Sequence, residues 1–116
     1  MDSMMMFQFL EARIVKCRER AAELEKDFRK DEAVFEKVRE NVYSIFSTVL
    51  KVAREQHDGD EAAIRSFFEI RLNQIPAAWE ASLEKARQHG DENKALIEEI
   101  KLAAISDIRQ ALEEKE

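Results

Sequence analysis

Residues 7–28 read FQFLEARIVKCRERAAELEKDF, and the apolar members Phe7, Leu10, Ile14, Cys17, Ala21, Leu24 and Phe28 are separated by alternating steps of three and four. Such steps average 3.5 residues, close to the period of an α-helix, so the seven side chains line one narrow stripe on a helix. A stripe held in register over three heptads needs a second helix, from this chain or another, packed along it. Arg13, Lys16, Arg18, Arg20, Glu23, Glu25 and Lys26 flank it with charge. The seven apolar residues are therefore the candidate self-association seam, and a homodimer through the first helix is the expected assembly.

The pattern continues downstream. Phe35, Val38, Val42, Ile45, Val49 and Val52 resume the same phase seven residues after Phe28, with one miss at Asp31. No Gly or Pro intervenes, and the retained phase favours a single helix from about residue 5 to 55, roughly 75 Å long. The alternative is a turn near Arg29-Lys30-Asp31 with Asp31 as N-cap of a second helix, which makes the chain a four-helix bundle. Residues 42–53 carry a second stripe, Tyr43, Phe46, Leu50 and Ala53, beside the first. A broad apolar face meets two or more neighbours, so this part belongs to the middle of a bundle and the earlier part to an arm or peripheral helix.

Two glycines and one proline in 116 residues leave few places for the chain to reverse. In His57-Asp-Gly-Asp-Glu61 and His89-Gly-Asp-Glu92, a glycine suited to a left-handed helix end precedes an aspartate suited to cap the next helix. Pro76 interrupts the stripe Ile64, Phe68, Leu72, Ile75, Trp79, Leu83 and Ala86 with a sharp kink or short break, and Asn73 is the candidate cap there. A last helix, from about Glu92 to Glu114, carries Leu96, Ile97, Ile100, Ala103, Ala104, Ile108, Ala111 and Leu112. The fold class is all-α: an antiparallel helical bundle with a long N-terminal helix, in one domain over residues 1–116.

Little in the chain points to catalysis. The Glu-x-x-His pairs of a carboxylate-bridged metal site are absent, because Arg54 and Ala86 stand three residues before His57 and His89. Asp58-Gly59-Asp60-Glu61 begins like a calcium loop but lacks its later oxygen ligands. Cys17 lies on the apolar seam, where a thiol behaves as a small hydrophobe. Phosphate cradles need glycines that the chain does not have. No catalytic residue, cofactor or metal is expected, and the protein reads as a non-enzyme.

Charge narrows the partners. The net charge is −6, and residues 91–116 hold eight acids against four bases, a balance that disfavours nucleic acid as a general partner. Arg13, Lys16 and Arg20 share a helical face and form the candidate basic face. It supports the alternative reading, a nucleic-acid-linked regulator; the acidic end supports a nucleic-acid mimic. Met4, Met5, Met6, Phe7, Phe9 and Leu10 make an apolar start without the bases of an export signal, and no window reaches the ~18 apolar residues of a membrane span. A cytoplasmic location is expected, with a single cysteine in keeping with a reducing compartment. The function expected is protein–protein interaction, as an adaptor, regulatory subunit or small chaperone.

Overall fold

The structure, a computed structural model, describes residues 1–114. Among them are five helices and no strand: α1 (Ser3–Lys26), α2 (Lys30–Gln56), α3 (Glu61–Gln74), α4 (Ala77–Gln88) and α5 (Glu92–Glu113). Most boundaries follow local chemistry. Asp2, Asp60 and Asp91 accept hydrogen bonds from the backbone N–H groups of Met5, Ala63 and Lys94 at 2.8, 3.0 and 3.1 Å, satisfying donors that a helix start leaves unpaired. Gly59 and Gly90 adopt φ of +77° and +67°. At Pro76 the helix pauses for two residues that keep right-handed angles, and α4 follows, so the proline makes a short break. Asn73 is not the cap expected there; its Oδ1 accepts from Arg109 at 3.4 Å.

The single helix expected over residues 5–55 does not form. The chain turns at Asp27–Arg29, and α1 and α2 run antiparallel: Glu11 accepts from Ser47 Oγ at 2.9 Å, Arg18 pairs with Glu40 at 3.0 Å and Glu25 with Lys37 at 2.7 Å. Nor does Asp31 cap α2. It is the exposed second residue of that helix, while Arg29 occupies the cap position without a side-chain hydrogen bond. The seven-residue spacing from Phe28 to Phe35 spans a reversal, so it carries no helical phase.

The main core gathers Met6, Leu10, Ile14 and Cys17 of α1, Val42, Tyr43, Phe46, Leu50 and Ala53 of α2, Ile64, Phe68 and Leu72 of α3, and Ala104, Ile105, Ile108, Ala111 and Leu112 of α5. Phe46 and Phe68 meet edge to face at 5.8 Å, a geometry that adds about 0.5–1.5 kcal/mol to their burial. Half of α1 is thus central, not peripheral. Two further sets are buried outside this cluster: Ala21, Leu24 and Ala33 towards the α1–α2 turn, and Leu83, Ala86 and Ile100 between α4 and α5. Each hairpin continues beyond the shared core as an arm. The radius of gyration, 15.5 Å, accordingly exceeds the roughly 13–14 Å of a compact chain of this length.

The α2 side chains buried in the main core are those of the second stripe, Tyr43, Phe46, Leu50 and Ala53, together with Val42. The first stripe is rotated away from the centre, and Phe35, Val38, Ile45, Val49 and Val52 are only half-buried.

Candidate functional site

The α1–α2 hairpin holds most of the residues that the sequence singles out. Leu10, Ile14, Cys17, Ala21 and Leu24 are all buried within the chain, in the hairpin with α2. As an intermolecular seam they are unavailable in this fold, because the second helix that covers them belongs to the same molecule. Phe7 is half-buried with the Lys51 ammonium 5.9 Å from its ring centre. Phe28, the last member of the stripe, is separated from the others by the turn.

The candidate basic face is divided. Arg13 makes two hydrogen bonds to Asp107 of α5, at 2.8 and 3.3 Å, and lies 4.5 Å over the Phe9 ring. Tyr43 of α2 donates its hydroxyl to the same carboxylate at 2.7 Å, so Asp107 joins three helices. The hydrogen bond from Arg13, foremost, with that from Tyr43, holds the Asp107 carboxyl below its ordinary pKa; burial and the hydrogen bond to Asp107 push the Tyr43 phenol well above its own. Arg20 pairs with Glu23 at 3.7 Å. Together with Lys16, Cys17, Glu19, Glu36, Arg39 and Tyr43, these side chains line a groove of ≈ 580 Å³. Lys16 is the only cation lining it that forms no ion pair among the described residues. The groove therefore offers little uncompensated positive charge to a phosphate backbone.

Groups suited to catalysis are in quiet settings. Burial, the largest cause, raises the Cys17 thiol to about 11, which leaves it protonated at neutral pH. His57 and His89 occupy the C-caps of α2 and α4, where a positive charge complements the helix dipole. Among the described residues no three His, Cys, Asp or Glu side chains are grouped to hold a metal ion, and no helix is long and apolar enough to cross a membrane.

An apolar cavity of ≈ 390 Å³ opens where α1, α2, α3 and α5 meet, lined by Met6, Leu50, Ile64, Phe68 and Leu112. Its polar rim is internally paired: Ser3 donates its N–H and hydroxyl to Glu61 at 3.3 and 2.9 Å, and Arg65 donates to the Leu112 carbonyl at 3.0 Å. No single-helix pattern encodes this convergence of four elements.

The tip of the hairpin is the unusual place. Lys26 ends α1, and Phe28 then adopts φ of +60°, the only residue other than glycine with positive φ among those described. The turn closes with the two bonds of a Schellman motif: Phe28 N–H donates to Glu25 O at 3.1 Å and Arg29 N–H to Leu24 O at 2.8 Å. The α4–α5 turn has the same pair, from Gly90 N–H to Arg87 O at 3.3 Å and from Asp91 N–H to Ala86 O at 2.9 Å. A left-handed conformation costs a residue with a Cβ about 1–2 kcal/mol, and glycine nothing comparable. The Phe28 side chain is also 88% exposed. Its ring thus gains nothing from the fold that its backbone strains to accommodate. Sequence reasoning names Phe28 as a seam residue, but its exposure follows only from the turn.

A second surface lies on α2. Val34, Val38, Asn41, Ile45, Thr48 and Val52 follow steps of four and three, and none of the six is buried. Val34 is 49% exposed. At 100° per residue they fall within an arc of about 80°. Val34, Asn41 and Thr48 are absent from the sequence-derived stripes, although the same spacing rule finds them once α2 has its own phase.

No protein-family model, curated protein or solved structure matches the chain.

Proposed function

We propose that the protein is a non-enzymatic interaction module that presents the tip of its α1–α2 hairpin, centred on Phe28, to an apolar pocket on a partner protein. The observation that carries the reading is the combination at Phe28 of a left-handed backbone and an almost fully exposed ring. A bulky residue kept in a left-handed conformation that glycine would adopt without strain is a mark of functional positions. Covering a phenylalanine ring contributes about 1.5–3 kcal/mol, enough to make one residue the centre of a contact. The protonated Cys17 thiol and the histidines at helix ends support a role without catalysis. Arg13, committed to Asp107, and Arg20, paired with Glu23, count against the nucleic-acid reading.

The test places a photo-crosslinking phenylalanine analogue at position 28 in cells of the native host. Discrete protein adducts are expected there and not with the analogue at Gln110, an exposed position on α5. Absence of adducts at 28, or the same adducts at both positions, overturns the reading.

A further inference from the structure

We infer that the outer face of α2 is a self-association surface, on which a second copy of the chain packs α2 against α2. This concerns a different surface from the Phe28 tip and goes beyond the reading above. The face runs from Val34 to Val52, about 27 Å at 1.5 Å per residue. Its members recur every 3.5 residues, the period that keeps one helix in contact with another along its length. Val38, Ile45 and Val52 form one of the two interleaved rows, and Val34, Asn41 and Thr48 the other. A single asparagine among uncharged residues is a device that sets the register of paired helical seams.

The occupant is a second copy because the face is complementary to itself. Residues 41–50, NVYSIFSTVL, contain no charge in a chain that is 38% charged, so two copies meet at the centre without opposing like charges. The nearest lysines are drawn towards α1: Lys37 pairs with Glu25 at 2.7 Å, and Lys51 lies over Phe7. Asn41 is exposed, and its side chain makes no hydrogen bond among the described residues. Its amide carries both donors and an acceptor and can therefore pair with the same group across a two-fold axis. Within the hairpin α2 covers the α1 stripe and leaves part of its own apolar stripe over.

Sedimentation equilibrium of the full chain from about 1 µM to 1 mM decides the matter, with mass expected to rise from that of one chain towards that of two by simple mass action. Thr48→Glu and Val34→Glu, both at exposed positions, should each weaken dimerisation at least tenfold while helical circular dichroism is retained. Val15→Glu, on the exposed side of α1, should leave it unchanged. Two results overturn the proposal: a wild-type chain of single mass throughout, or a dimer that survives either glutamate substitution on α2. Loss of helix in one α2 variant leaves the decision to the other and to the wild-type series.

Discussion

The two hairpin turns, Asp27–Arg29 and His89–Asp91, are closed by the same hydrogen bonds and differ in what stands at their centres. At Gly90 a residue without a Cβ takes the left-handed position, and the next residue, Asp91, caps α5. At Phe28 a bulky aromatic takes the same position, and the next residue, Arg29, starts α2 with no cap from its side chain, pairing its guanidinium with Glu32. One turn is composed for folding alone. The other departs from that composition at two consecutive positions, the pattern expected where a surface serves something besides the fold.

Substitutions at four positions test how far the hairpins differ. The largest effect is expected at Asp107, which fastens the α1–α2 hairpin to α5. Asp107→Ala leaves Arg13 and the Tyr43 hydroxyl without their shared acceptor and should lower stability by about 2–3 kcal/mol, the value being moderated by partial exposure of the ion pair. The same carboxylate predicts a pH effect. Because its folded pKa is depressed, it contributes stability that is complete above its unfolded value, near 4, and is lost as pH falls through the lower folded value. Urea midpoints should therefore fall below about pH 4 in the wild type, and fall less in Asp107→Asn.

Next in size is Gly90→Phe, which gives the second turn the residue of the first. A Cβ there meets nothing within 4 Å, so the loss is that of backbone strain, about 1–2 kcal/mol. The reciprocal change, Phe28→Gly, should raise stability by about 1 kcal/mol and at the same time remove the ring on which the proposed contact depends. A stabilised variant with undiminished partner binding would break the comparison. The smallest effect is expected from Arg29→Asn, which gives α2 the kind of capping side chain that α5 has. Its urea midpoint should rise by less than that of Phe28→Gly, since the pair with Glu32 is lost in exchange.

Where turn chemistry is ordinary, the sequence reads correctly: Gly59 with Asp60, Gly90 with Asp91, and Pro76 each interrupt the helices at the expected place. The Phe28 turn is legible only as the alternative near Arg29-Lys30-Asp31, two residues late, since neither its left-handed residue nor its cap belongs to the types that identify a helix end. The helical stripe of α1 is legible, and so is its need for a covering helix, but periodicity does not say from which chain that helix comes. The double stripe of α2 was also visible, whereas which half would be central depends on α3 and α5. Asp107 illustrates what no local pattern supplies: its partners Tyr43 and Arg13 are 64 and 94 residues away.

That separation bears on the order of folding. The α1–α2 hairpin is built from local contacts and can close as soon as both helices exist, whereas the last wall of its core, Ala104 to Leu112, arrives with α5. During synthesis the core that the hairpin shares with α3 and α5 therefore stays incomplete until α5 has emerged and docked, and Asp107 bonds Arg13 and Tyr43 only then.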